Sequence, residues 1–359
     1  MKYLHALNKI EGVGSQKIKT LLAGFGTAEN IWHADLEALQ KVLGGDLLPQ
    51  RIFFEKQTIN PDAEWEKLKK DEINIIDLMN PSYPKLLKQI YNPPYLIYTR
   101  GKLIFDEVPT IALVGSRKFS AYGEQLANTF SHDLARAGFA IVSGLALGID
   151  AISHLGALKV KGKTIAVLGS GIDDSSIYPR ANFNLAKEII ENDGLLMSDY
   201  APGTPATKMT FPARNRLIAG LSLGTLVVEA GEKSGALITA RMALENNREV
   251  FAIPGSIFSP TSIGTNNLIK SGAKMVTCVQ DILEEFDLLQ TPETKQTVLK
   301  MPENQEEEAL LAILSDIPLH IDNIAKRSGL TVSAISATLM MMEIKGWVKN
   351  LGGQNYILL

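Results

Sequence analysis

Residues 110–118 read TIALVGSRK: an apolar run, Thr110–Val114, passing without a break into Gly115-Ser116-Arg117-Lys118. A run of that length, closed by a glycine turn, is the pattern of a strand buried on both faces. A helix-like stretch opens behind the turn near Ala121. The same alternation continues downstream. Apolar runs at 139–142, 163–168, 195–197, 224–229, 249–253 and 274–277 are separated by segments of helical length. That period predicts an α/β fold with a Rossmann-like, doubly wound, mostly parallel sheet. Several runs end in small polar residues: Gly115-Ser116, Ser143-Gly144, Gly169-Ser170-Gly171 and Pro254-Gly255-Ser256. Loops leaving the carboxyl ends of parallel strands open on one edge, where such sheets hold ligands.

The flanks read differently. Residues 1–70 predict a small helical domain, with Leu4, Leu7, Ile10, Ile18, Leu21, Leu22 and Ile31 at roughly helical spacing. Gly12-Val13-Gly14, followed by Ser15 as N-cap, gives a helix-hairpin-helix or SAM-like pattern, and Leu43-Gly44-Gly45-Asp46 is a less regular second hairpin. Such a turn either brings backbone N–H groups to a phosphate or simply packs, and both readings stand. The sheet domain is expected over 71–290, opening on a strand candidate at 73–76. A Pro-rich connector follows, whose Leu86, Leu87, Tyr95, Leu96, Ile97 and Tyr98 need cover. Residues 291–308 are polar and read as a linker. Beyond it, 309–359 predicts a winged helix: helices at 309–314, 321–328 and 332–344, with wing strands at 346–348 and 356–358.

Bulk composition narrows the function. Of 359 residues, 45% are hydrophobic and 21% charged, an ordinary globular mix without a membrane-length apolar run. A single cysteine, Cys278, excludes an internal disulfide and a cysteine-based metal site, and the five histidines lack HExxH spacing. The expectation is a cytoplasmic protein with no cofactor, no metal and no membrane partner. With a net charge of −3, phosphate binding must come from a local cluster of positive groups.

That cluster is expected on the sheet edge. Gly115, Ser116, Arg117 and Lys118 sit between a strand and a helix, where backbone N–H groups and the helix dipole favour an anion. Gly144 leaves the second strand; Gly169 and Gly171 leave the third, in a loop ending in Arg180, Asn182 and Phe183. Lys208, Arg214, Asn215 and Arg216 precede or enter one helix, and Ser234 and Gly235 open another. Repeated arginines among glycine turns suit a chain of phosphates, and Phe183 offers a stacking face to a base. There is no GxGxxG and no acidic residue about 20 positions on, so a dinucleotide is not expected. Each residue also has an ordinary structural reading. A lone arginine is commonly salt-bridged, Phe183 alone reads as core, and the Arg214–Arg216 pair could tie a loop to Glu229 or Asp199.

In order, GSR, SGLALGID, GSGID…YPRAN, FPARNRLIAGLS, EAGEKSGALITA and PGS…GTNNLIKSGA resemble the DprA/Smf family over roughly residues 75–280. The resemblance implies a DNA processing protein A that binds and protects single-stranded DNA, dimerises through the Rossmann-like domain and loads RecA-type recombinase in natural transformation. It points to Arg117 at the arginine of GSR, to Arg180 after Tyr-Pro, and to Phe183 as stacking residue. Two features depart from the pattern. Asp173-Asp174-Ser175-Ser176 adds carboxylates near the expected groove, and the helix at 332–342 holds no Lys or Arg. A weak duplex contact by the N- and C-terminal domains, or a protein-contact role for the latter, is expected rather than sequence reading. No catalytic residue is expected. The alternative is a Rossmann-like nucleotide-binding hydrolase acting on nucleoside monophosphates, because 224–229, GTLVVE, is similar to part of a PGGxGTxxE loop, with Asp150, Asp199 and Glu229 as its candidate carboxylates.

Overall fold

The computed structural model describes residues 1–45, 47–286, 302, 304–315, 318–345, 347–350 and 353–358. The chain divides into two compact units, 1–288 and 289–359. Most of the segment read as a linker, and Asp46 of the second hairpin, lie outside the described residues.

In the first unit nine strands form one sheet: β1 (Asn74–Asp77), β2 (Leu96–Gly101), β3 (Thr110–Val114), β4 (Ala140–Ser143), β5 (Thr164–Val167), β6 (Leu195–Ser198), β7 (Gly224–Val227), β8 (Glu249–Ala252) and β9 (Lys274–Met275). The order is β1-β2-β6-β5-β4-β3-β7-β8-β9. From β6 to β9 every pairing is parallel; β1 and β2 add an antiparallel edge. Every residue of β3 to β7 is buried, which accounts for their unbroken apolar character. Helices cover both faces over separate apolar clusters, one holding Ala112, Val114, Val142 and Val167, the other Ile111, Leu113, Ile141 and Phe251.

Strand β2 departs from the sequence reading, which took 95–98 as part of a connector. Pro93-Pro94 lies just before it and signals a loop, but β2 starts after the prolines and keeps its ladder intact. Tyr98 is fully buried, and its hydroxyl meets Nδ1 of the buried His5 at 3.0 Å. Leu96 belongs to the same apolar cluster as Leu7, Ile18, Leu21, Ile31 and Leu39. The helical head therefore closes its core on the sheet. Its hairpin joins helix Lys2–Asn8 to helix Ser15–Phe25. Residues 12–15 of the turn line a cleft of about 600 Å³ against residues 199–205 of the sheet part.

The second unit holds helices Gln305–Leu311, Ile321–Ser328 and Val332–Ile344 with a small antiparallel sheet of β10 (Leu319–His320), β11 (Val348–Asn350) and β12 (Asn355–Leu358). It is a winged helix with a core of Leu310, Ile321, Ile324, Ile335, Leu339, Met342 and Val348. The first helix starts earlier than its apolar residues imply, because Asn304 caps it by accepting from Glu307 N–H at 2.8 Å. Among the described residues no helix is long and apolar enough to cross a membrane.

Candidate nucleic-acid interface

The chain winds β3, β4, β5, β6 to one side of the sheet and then crosses to place β7 on the other side of β3. Loops leaving β3 and β7 part at this reversal and open a crevice. A cleft of about 720 Å³ lies there, lined by residues 115–118, Ala146, Asp150, Tyr178, Lys208, Phe211, Arg214, Asn215 and loop residues that include Lys233, Ser234 and Gly235. Its lining carries Arg117, Lys118, Lys208, Arg214 and Lys233 against the single carboxylate of Asp150. That local excess stands out in a chain of net charge −3. Arg117, Lys118, Lys208 and Lys233 are exposed, and none forms an ion pair among the described residues.

The GSRK turn is fixed from below. Ser116 N–H donates to the Glu229 carbonyl at 2.8 Å, and Lys118 N–H to Ser116 Oγ at 3.1 Å. Gly148, at φ +85°, lets the loop after β4 lie directly on this turn. A Cβ there would stand 2.5 Å from the Ser116 carbonyl oxygen and 2.8 Å from Arg117 Cα. The guanidinium of Arg117 is held over the Phe211 ring, 5.3 Å from its centroid, and the Tyr178 ring lies 5.7 Å from Phe211. This cation–aromatic group is the most distinctive feature of the cleft.

The expected anion site at the start of helix Ala121–Arg136 is corrected. Glu229, only 3% exposed, already fills it. Its Oε2 accepts from Ser120 N–H at 2.9 Å, and Oε1 from the Ser120 and Thr261 hydroxyls at 2.7 and 2.5 Å. The helix dipole is thus answered by the protein's own carboxylate, and the turn offers side-chain charge rather than free N–H groups at Ser116 and Lys118. Glu229 accepts from hydroxyls and an amide, not from the arginines, and does not line the main cleft. Gly224 and Thr225 lie inside β7 rather than in a loop after a strand.

Arg214 lines the cleft yet is 4% exposed. Its Nη1 donates to the carbonyls of Gly144, at 2.7 Å, and of Val167, which ties β4 to β5. Gly144 is glycine for this reason, since a Cβ would stand 2.6 Å from the guanidinium. Burial lowers Arg214 to about 10, with Asp150 and Asp199 opposing. Burial also pushes the Asp150 carboxyl up, against Arg214 and the N–H groups of Ala146 and Gly144. Arg214 is therefore a strut of the cleft wall, unlike its exposed neighbours Arg117, Lys118, Lys208 and Lys233.

Other expected residues lie outside the cleft. Arg216 pairs with Asp199 at 2.5 Å and donates to the Asn92 carbonyl, facing the head. Gly169 packs beneath Phe211, and Gly171 N–H bonds the Thr204 carbonyl. Asn182 donates to the carbonyls of Leu145 and Ala146, which steadies the loop after β4. Arg180 stacks on Phe183, 3.9 Å from the ring centroid, and donates to the Asp174 carbonyl. The ring of Phe183 carries that guanidinium and, at 4.7 Å, the Lys187 ammonium. The two added carboxylates leave the cleft free: Asp173 turns inward to Ser175, Ser176 and Gly203 N–H, and Asp174 pairs with Arg100.

The sequence reading missed Phe211, Tyr178 and Lys233. A signal existed for the first. Phe211, Arg214, Asn215 and Ile218 fall at i, i+3, i+4 and i+7 of helix Thr210–Gly220, one face, from which Arg216 is excluded.

Residues 74–287 match the family model for DNA recombination-mediator protein A, and residues 294–354 the model for the DprA winged helix domain. The chain is 34% identical to Protein Smf of Synechocystis over 99% of its own length and 98% of that protein. It is 38% identical to Protein Smf of Escherichia coli, covering 89% of this chain and 87% of that one. Among solved structures, DNA processing protein A from Streptococcus pneumoniae superimposes with TM-score 0.68 at 38% identity, over 79% of this chain and 98% of that one. The Helicobacter pylori protein, described for its single-stranded DNA binding mode, gives TM-score 0.53 at 30% identity, over 60% and 95%.

Proposed function

The chain belongs to the DprA/Smf family, and on that premise we propose that it binds single-stranded DNA in the cleft at the carboxyl ends of β3 and β7. The observation that carries this reading is the exposed guanidinium of Arg117 over Phe211, with Lys118, Lys208 and Lys233 around it. Lysine and arginine attract phosphates of any sequence, and aromatic faces accept any base, so the group suits a single strand rather than a duplex. Tyr178, 52% exposed beside Phe211, widens the stacking face. Arg180 and Phe183 form a second cation–aromatic pair of the same chemistry and extend the strand's path past Tyr178.

The activity is binding and handing-on, without covalent chemistry. The carboxylates that a hydrolase needs are committed elsewhere: Asp150 beside Arg214, Asp199 to Arg216, Glu229 to Ser120 and Thr261. The protein acts as a recombination mediator that shields incoming DNA and passes it to a RecA-type recombinase in the cytoplasm. It works as a homodimer through the Rossmann-like domain, whose paired clefts raise avidity by effective concentration. The winged helix presents Val332, Met340 and Met341 on its third helix, 46%, 66% and 52% exposed, which suits a protein contact better than a phosphate backbone.

The test is fluorescence anisotropy with labelled single strand and matched duplex across a salt series, using the unaltered chain and Arg117→Glu. Tight, salt-sensitive single-strand binding that collapses in the variant is expected. Equal binding by the variant would overturn the cleft assignment, and cleavage of nucleoside monophosphates by the pure protein would overturn the non-enzymatic reading.

A further inference from the structure

The cleft does not end at Lys118. The segment 115–122 separates it from a second cleft of about 480 Å³, whose lining includes Ser120, Tyr122, Glu229, Ser256 and Ser259. The ridge between them carries both charge and rings: Arg117 and Lys118 are exposed, Phe119 is 40% exposed and Tyr122 49%. The loop after β8 forms the far wall. It is braced by Thr261 on Glu229, by the Asn266 amide on Gly255 and by the Tyr122 hydroxyl on the Pro254 carbonyl. Despite that bracing, its tip holds Ile257 and Phe258 out in solvent, 81% and 90% exposed.

We infer that this second cleft and its rim form a nucleobase subsite, where Phe258, on the loop that walls the cleft, stacks on a base of the strand that has crossed the Arg117–Lys118 ridge. The inference rests on the single-strand reading of the main cleft and extends it. Three features fix the chemistry of the occupant. The Glu229 carboxylate that lines the cleft disfavours phosphate, so a neutral base edge suits it better. The ridge supplies the positive charge that holds the backbone above it. An aromatic ring so exposed on a braced loop offers a stacking face at little ordering cost.

Phe258→Ala and Phe258→Trp test this, because a side chain so exposed is replaceable without disturbing the core. Affinity is measured against labelled single strands of increasing length. In the unaltered chain affinity rises with length past the point at which the main cleft is filled. Phe258→Ala is expected to bind the shortest strands as the unaltered chain does and to lose roughly tenfold on the longer ones. In Phe258→Trp, longer strands quench the added indole and short ones do not. If Phe258→Ala binds every length normally and the indole is not quenched, the subsite is wrong while the main cleft stands. If Arg117→Glu also binds normally, the main reading has failed first. A uniform loss at all lengths would likewise overturn the subsite, since it would place Phe258 in the main contact.

Discussion

Arg117 and Arg214 line the same cleft, in one chain, with the same side chain, and do opposite things. Arg117 is exposed, lies over an aromatic ring and has no ion pair among the described residues. Arg214 is buried, bonds two backbone carbonyls and faces Asp150. One leaves its charge open to solvent; the other holds the cleft wall together. A positive side chain is a binding group only where water, and hence phosphate, can reach it.

The comparison is open to direct attack. The largest effect is expected from Arg214→Ala, which leaves the Gly144 and Val167 carbonyls buried without their donor and removes the positive charge that opposes the rise of Asp150. Leaving a buried carbonyl without its donor costs about 1–3 kcal/mol for each group, read as a lower urea midpoint. Unchanged stability with lost DNA binding would reverse the roles assigned to the two arginines.

Next comes a pH effect on the same buried side. His154 is fully buried, with Nδ1 at 2.7 Å from Thr164 Oγ1; burial, helped by Arg214, lowers it to about 3. The unfolded chain takes a proton near pH 6.5 that the folded chain refuses until about pH 3. His154 therefore takes stability away as pH falls from 6.5 toward 3, on the order of a few kcal/mol at the lower end. Asp150, raised by burial, acts in the opposite sense. Urea titrations at stepped pH with His154→Gln should show a flatter acid limb than the unaltered chain; an identical limb would remove His154 from the account.

On the exposed side, Arg117→Glu should leave the melting temperature unchanged while single-strand affinity falls roughly tenfold or more at low salt. The loss should be alike for all sequences, and the salt slope should drop by about 1. A fall in melting temperature would make Arg117 another strut. The smallest effect is expected from Phe211→Leu, which keeps apolar bulk and removes the ring. Affinity should fall about fivefold, the lower end of what one stacked base contributes. No change would move the stacking to Tyr178 or Phe183.

Much of this molecule was legible in the order of its residues. The buried strands announce themselves as unbroken apolar runs, and the small polar residues after them mark the edge on which the main cleft opens. Strand β2 was hidden by the neighbouring Pro93-Pro94, although its own residues pair normally with β1 and β6. In the site, the turn 115–118, Lys208, Ser234 and Gly235 were placed by knowing which loops share an edge. The sequence places Arg214 and Arg216 on the same edge, and the helix Thr210–Gly220 separates them. One turns into the cleft wall; the other turns to Asp199 and the head.

The sequence by itself determined the alternation of strand and helix, the edge where loops gather and the family to which the chain is similar. Those depend on local period and on short motifs, which survive in one dimension. Only the tertiary structure decided which positive groups face water, that Glu229 occupies the helix start expected to hold a phosphate, and that Arg117 lies over Phe211. Burial and pairing join residues about 100 positions apart, as in Ser120 with Glu229, and no local pattern encodes them.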